Sequence, residues 1–204
     1  MKNSPLEAKV RVGILALQGD YAAHRHATEV AGGESFEVRT PEQVREADAL
    51  ILPGGESTTI GRLMTRFGLD TAIQEAHAEG KPIFGTCAGM ILLAKRIAHG
   101  AKQGGQPVLG LLDVSVARNA WGRQVDSFEA DIDAPTIAPN ATVRGVFIRA
   151  PLIEEVGPGV DVLARFDDKI VLVQQGNVLA SAFHPELTGD SRVHRYFLKM
   201  VDRQ

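Results

Sequence analysis

Three near-continuous apolar runs rich in branched residues, each ending in glycine, punctuate the first half of the chain: VRVGILALQG (Val10–Gly19), ADALILPGG (Ala47–Gly55) and KPIFGTCAG (Lys81–Gly89). Apolar character without alternation is what strands buried on both faces show. Helical spacing of apolar positions between and after these runs predicts helices over Tyr21–Ala31, Thr58–Phe67, Leu69–Glu79 and Met90–Ala98. Gly80-Lys81-Pro82 supplies a stop for the third of them. Strand–helix–strand alternation implies a parallel sheet covered on both sides.

The second half changes character. Val114–Ile132, Ala141–Pro151, Val160–Asp168, Lys169–Gly176 and Val178–Glu186 contain short strand-like runs separated by turn residues, some of them alternating. They predict antiparallel strands added to the parallel core. TGDS opens a last helix over Ser191–Val201, and Gly100–Pro107 and Ala134–Asn140 have the composition of surface loops. No internal repeat, low-complexity tract or linker divides the chain, so one domain over residues 1–204 is expected, with residues 1–9 a flexible N-terminal extension.

Composition narrows the functional classes. The 204 residues are 44% hydrophobic and 23% charged, and their formal net charge of −3 comes without a basic run long enough to track phosphates. Nucleic acid and anionic membrane are therefore not expected partners. A single cysteine, Cys87, cannot form an internal disulfide, and no apolar stretch approaches a membrane span or a signal peptide's apolar region. The expected location is the cytoplasm.

That cysteine is the first candidate for chemistry. A free cysteine ordinarily packs as a small hydrophobe. Cys87, however, follows an apolar strand, precedes a predicted helix, and has Gly85 and Gly89 two positions away on either side. Glycines there allow a tight strand-to-helix turn of the nucleophile-elbow kind, and a helix N-terminus favours thiolate.

A thiol nucleophile needs a base. Of six histidines, His24, His26, His77, His99 and His194 read as helix or loop residues, and the His24-x-His26 pair as solvent-facing, with no third metal ligand at plausible spacing. His184 differs because it ends the run VLASAF and is followed by Pro185 and Glu186. In an extended segment residues two apart point the same way, so Glu186 can reach the imidazole and fix its tautomer. ILPGGESTT (Ile51–Thr59) is the third piece, a glycine turn between strand and helix whose free amides could receive an oxyanion. Ser57 could equally be an ordinary N-cap there, and the segment lacks a nucleotide P-loop pattern.

PGGES, GTCAGM and FHPE together resemble the signatures of class I, triad-type glutamine amidotransferases. LALQGD, LPGGESTTIGRL, GRQVDSFEA, GVFIRAP and FHPELTGDSRVHRYFLKM more narrowly resemble the glutaminase subunits of pyridoxal 5′-phosphate synthases, from about Val12 to Met200. The resemblance implies an α/β, single-domain, flavodoxin-like three-layer sandwich that hydrolyses L-glutamine and passes ammonia to a separate synthase subunit in a hetero-oligomer. It implies no cofactor and no metal. Cys87 would be the nucleophile, His184 the general base and then acid, and Glu186 the group that orients it. Gly55, Glu56, Ser57, Arg118, Ile148 and Arg149 would bind glutamine, with the Gly54–Gly55 peptide and the Ala88 N–H as oxyanion donors. Without the resemblance, Arg118 and Arg149 read as surface charges. Ala117, Trp121 and a slightly long Ala101–Gln106 segment depart from the family pattern. A glutaminase of another pathway, a stand-alone cysteine hydrolase and a binding module with an unused triad remain alternatives.

Overall fold

The computed structural model of the protein describes residues 9–99, 105–118 and 127–201. The N-terminal extension expected over 1–9 lies outside these apart from its last residue, as do Trp121, residues 122–126 of GRQVDSFEA and residues 101–104 of the segment that departs from the family pattern.

Among the described residues, twelve strands and six α-helices alternate through the first half and then give way to strands. In chain order they are β1 (Arg11–Leu15), α1 (Tyr21–Ala31), β2 (Glu34–Val38), α2 (Pro41–Glu46), β3 (Ala49–Leu52), α3 (Ser57–Arg66), α4 (Leu69–Ala78), β4 (Ile83–Thr86) and α5 (Ala88–Leu93). There follow β5 (Ala94–His99), β6 (Leu112–Ala117), β7 (Ser127–Asp133), β8 (Thr142–Ile148), β9 (Leu152–Val156), β10 (Asp161–Phe166), β11 (Lys169–Gln175), β12 (Val178–Ser181) and α6 (Arg192–Leu198). The main sheet runs β2-β1-β3-β4-β12-β11-β9-β6-β5 with β10 paired to β11, and β7 and β8 form a separate antiparallel pair. From β2 to β12 every neighbour is parallel. β11 and β9 then run antiparallel to their neighbours, while β5 and β6 are parallel to each other.

The 2-1-3-4 order with a fifth parallel strand is the flavodoxin-like pattern, whose switch point between β1 and β3 opens a crevice beyond the carboxyl ends of the strands. All four residues of β3, β4 and β12 are buried, as two covered faces require. α1 packs with α6 and α3 packs with α4 and α5, and one cluster of buried apolar residues runs from Val12 to Met200. That fold class agrees with the sequence reading.

Three features depart from the pattern-based expectation. The helix predicted over Met90–Ala98 ends at Leu93, and Ala94–His99 is strand. All six residues of α5 are buried, so a longer helix would carry Lys95 and Arg96 inward. As strand residues they instead stay exposed and pair with Asp113 at 3.4 and 3.6 Å. Pairing with β6 thus overrides a helical period. β2 and α2 were not anticipated, although Thr40-Pro-Glu-Gln43 carries a capping box in which both side chains bond the partner's backbone. β12 is the third: it ends the strand-rich half yet sits inside the parallel core, beside β4.

The turn from β4 into α5 is packed without slack against β3. A Cβ on Gly89 would lie 1.9 Å from the Leu52 carbonyl oxygen, and one on Gly85 would lie 2.7 Å from the Gly89 carbonyl carbon. Both obstacles are backbone and cannot rotate away. Gly89→Ala is therefore expected to lower stability by roughly 1–3 kcal/mol in urea denaturation. Gly189→Ala, which meets nothing within 4 Å, should stay within about 0.5 kcal/mol; equal stabilities for the two variants would contradict this packing.

Candidate functional site

The carboxyl ends of β1, β3, β4 and β12 converge with the end of β8 on one open cleft of ≈ 410 Å³, lined by Gln18, Asp20, Glu56, Cys87, Arg149 and His184 among others. Its position beyond the strand ends at the switch point is where α/β sheets bind ligands.

Cys87 is the residue between β4 and α5 and has φ 48° and ψ −101°. Its N–H donates to the Ser181 carbonyl at 2.8 Å, which ties the elbow to the end of β12. The flanking glycines act differently from the expectation of conformational freedom. Neither has positive φ; each removes a side chain that would strike backbone, and Cys87 itself takes the left-handed geometry. Strain of this kind persists where the surroundings over-determine it, as at a nucleophile elbow. Cys87 is 8% exposed, with Sγ 3.9 Å from the Ile148 carbonyl oxygen.

His184 stands across from it. Its backbone N–H donates to Val146 of β8 at 2.8 Å, and its Nδ1 lies 2.7 Å from Glu186 Oε1. Glu186 does not arrive by extended geometry: His184 is extended, but Pro185–Leu187 is a 3-10 turn that brings the carboxylate back under the ring. Gly54 packs against the same ring, where a Cβ would lie 2.2 Å from His184 Cε1 and 2.9 Å from Nδ1. The ring is therefore held by a carboxylate and closely approached by a glycine.

The electrostatics follow from burial and these contacts. Burial disfavours a charged His184, but hydrogen bonds and charge interactions with Cys87 and Glu186 outweigh it and raise the imidazole to about 10. Burial likewise pushes Glu186 up, yet His24 and His184 hold it well below the usual carboxylate range. Asp20 lies 3.9 Å from His184 Nδ1 and is half-exposed. The Asp20, His184 and Glu186 donor atoms fall within 4.8 Å of one another, as a metal site would need. The 2.7 Å Nδ1–Oε1 contact is hydrogen-bonded, and it commits that nitrogen to a proton.

Gly55, Glu56, Ser57, Arg118, Ile148 and Arg149 all line the cleft. Glu56, not Ser57, caps α3: its carboxylate accepts from the Thr58 and Thr59 N–H groups. Arg118 is no surface charge; its side chain is 12% exposed, donating to Glu56 at 3.2 Å and to Gln106 Oε1 at 2.7 Å. Ser57 Oγ donates to the same Gln106 oxygen. Gln106, read from composition as part of a surface loop, is instead folded against the start of α3. Arg149 is exposed at φ 43°.

The glycine turn after β3 is held by the loop after β1. The Asp20 N–H donates to the Gly54 carbonyl at 3.2 Å, and the Glu56 N–H donates to Gln18 Oε1 at 2.7 Å. Because the peptide is trans, the Gly55 N–H points away from Asp20. Ala88 opens α5 and is buried. Sequence reasoning missed Gln18, Asp20 and Gln106 as site residues. The strand-end position of LALQGD at the switch point was the available signal for the first two.

The described residues thus unite a strained thiol, a protonated imidazole and a buried carboxylate at a cleft with arginine and backbone donors. Comparison with known proteins identifies the family. The SNO glutamine amidotransferase family matches residues 14–203. The pyridoxal 5′-phosphate synthase subunit PdxT of Pelotomaculum thermopropionicum is 56% identical over 194 residues, covering 95% of this chain and 96% of that one. The protein of the same name from Desulforudis audaxviator is 55% identical over 95% of this chain and 100% of its own. A crystal structure of a glutamine amidotransferase, 50% identical, superposes with a TM-score of 0.87 over 94% of this chain and 98% of that one. PurLQS from Thermotoga maritima, at 20% identity over 96% of this chain and 99% of its own, shares the fold with a TM-score of 0.70. On the extent of these matches, the chain belongs to the SNO glutamine amidotransferase family.

Proposed function

We propose that this chain is the glutaminase subunit of a pyridoxal 5′-phosphate synthase, hydrolysing L-glutamine to L-glutamate and delivering ammonia to a synthase subunit. Relatives at 51–56% identity bear that synthase's subunit name. The observation that carries the chemistry is the convergence of Cys87 with the hydrogen-bonded His184–Glu186 pair at one cleft. The whole chain is taken as one amidotransferase domain. A cytoplasmic location suits a lone free thiol, which stays reduced there.

In this reading the Cys87 thiol passes its proton to His184, and the resulting thiolate attacks the side-chain amide carbon of glutamine, its electron pair forming the C–S bond. The carbonyl π electrons move to oxygen, and the Gly54–Gly55 peptide and the Ala88 N–H are the proposed donors to that oxyanion. The tetrahedral centre then collapses as the C–N bond breaks. His184, protonated at neutral pH, gives its proton to the leaving nitrogen, which departs as ammonia. Its neutral imidazole next takes a proton from water as the water oxygen bonds to the thioester carbon; the C–S bond then breaks, its electron pair returns to Cys87, glutamate leaves, and the proton on His184 is available to the sulfur again. Glu186 accepts from Nδ1 throughout, keeping the other ring nitrogen for these transfers. Arg118 and Arg149, with Glu56 and Ser57 beside them, are the proposed partners of the amino acid's charged end, together with the Ile148 backbone.

Cys87→Ala is expected to lower glutamate production by about 10⁴-fold or more while leaving the melting transition cooperative; a glutamate-producing Cys87→Ala protein would refute the assignment. The isolated chain should turn over slowly, and adding the synthase subunit should raise its rate; identical rates with and without it would contradict the partner.

The protonation state has a stability signature. His184 is raised from 6.5 to about 10, so its contribution is fully present below pH 6.5 and disappears as pH rises through about 10. Glu186 is lowered from 4.5, so its contribution is present above that value and is lost as pH falls. The stability gap between wild type and His184→Gln should therefore be widest between pH 4.5 and 6.5 and should close towards pH 10. A gap that does not change with pH would contradict a charged His184–Glu186 pair.

A further inference from the structure

Behind the triad lies a second, fully buried set of polar groups that the mechanism above does not use. His24, read from the sequence as a solvent-facing helix residue, is 0% exposed, and His194 is 1% exposed. His24 Nε2 is 3.0 Å from Thr86 Oγ1 and 3.3 Å from Glu186 Oε1, while its Nδ1 is 3.1 Å from His194 Nε2. The ring stands edge-on to Phe84, which also meets His194 and Phe197. Thr86 immediately precedes Cys87, so one imidazole touches both the strand that presents the nucleophile and the carboxylate that orients the base.

The proton positions follow from what each partner can offer. The described structure gives Glu186 Oε2 and His194 Nδ1 no hydrogen-bond partner. Oε1 therefore carries the whole restraint on a carboxylate with no exposure. If Nε2 of His24 were unprotonated, its lone pair would face that buried anion at 3.3 Å, an arrangement that a low-dielectric interior penalises. With the proton on Nε2, His24 donates into the shared space between Thr86 and Glu186. Its Nδ1 then accepts from His194 Nε2–H. This needs a neutral His194, and burial lowers His194 to about 3. It also leaves His194 Nδ1 as a bare acceptor, which needs no donated proton to be placed.

We propose that His24 is a positioning residue for glutamine hydrolysis: its Nε2–H holds Glu186 from behind, and His194 fixes the tautomer that makes this possible. This rests on the glutaminase reading and deepens it, adding a second imidazole on α1 to the Cys87–His184–Glu186 line. His24 touches no substrate and acts only through Glu186 and Thr86. The sequence signal was weak, because a histidine in an eleven-residue amphipathic helix looks the same facing solvent or core.

The test compares His24→Leu with His24→Gln, both assayed with the synthase subunit present. Leucine keeps the buried volume but deletes the donor, whereas glutamine can return an N–H near the Nε2 position. His24→Leu should lower kcat for glutamine hydrolysis by about 10–100-fold, the scale set by loss of an outer hydrogen-bond partner. KM should stay within about twofold, and the pH profile of kcat should shift. His24→Gln should recover most of the loss. A folded His24→Leu with wild-type kcat and pH profile overturns the proposal, as does a folded His24→Gln no better than His24→Leu. Nitrogen-15 imidazole spectra of the wild-type protein decide the matter without any variant: a proton on His24 Nε2 supports the proposal, and an unprotonated Nε2 overturns it. The glutaminase reading fails separately, by an active Cys87→Ala protein, and leaves the tautomer measurement standing.

Discussion

The parallel pairing of β4 with β12 is the constraint on which the site depends. Four residue pairs, from Ile83–Val178 to Thr86–Ser181, put the two strands in register, and the Cys87 N–H extends the ladder by one bond to Ser181. Cys87 and His184 are nearly a hundred residues apart in sequence, yet the strands they follow end at the same height, Thr86 opposite Ser181. A slip of one residue would send every side chain of the slipped strand to the opposite buried face, where the core is packed for a different set. Because all eight of their residues are buried on both sides, that register is held by the core and not by the site.

The site itself is assembled against local preference. Cys87 adopts a backbone geometry that side chains rarely accept, and His184 and Glu186 are polar groups with almost no exposure. Each is tolerable because neighbours leave no alternative: Gly85, Gly89 and Gly54 remove the side chains that would collide, and His24 supplies a second polar contact to the buried carboxylate. The glycines in GTCAG and PGGE therefore serve close approach more than freedom of φ, with Gly55 the one among them at positive φ. Burial also decides the charges. A carboxylate in that environment stays ionised only with partners, and the partners it has are the two imidazoles.

Much of this was legible in the residues. Continuous apolar runs ending in glycine identified β1, β3 and β4, because strands covered on both faces leave no polar alternation to confuse them. Cys87, His184 and Glu186 were legible through spacing and flanking glycine and proline. What stayed hidden was set by tertiary contacts. The 90–98 segment has a helical period, and only the partner strand β6 makes its second part extended. Gln106 has a loop's composition and a structural role, because its amide oxygen gathers Arg118, Ser57 and Thr58. His24 was misread since helical periodicity marks which residues share a face, not which polar residue on that face finds a buried partner. Glu186 was reached by the wrong geometry, through a 3-10 turn instead of an extended segment.

The central claim is that Cys87 is poised to form a covalent bond to the side-chain carbonyl carbon of bound glutamine, and one measurement addresses it directly. The protein would be incubated with a diazoketone analogue of glutamine and the intact chain weighed, followed by peptide mapping. The account predicts one adduct per chain, located on Cys87 and suppressed by excess L-glutamine. An unmodified chain, or an adduct on another residue, would contradict it.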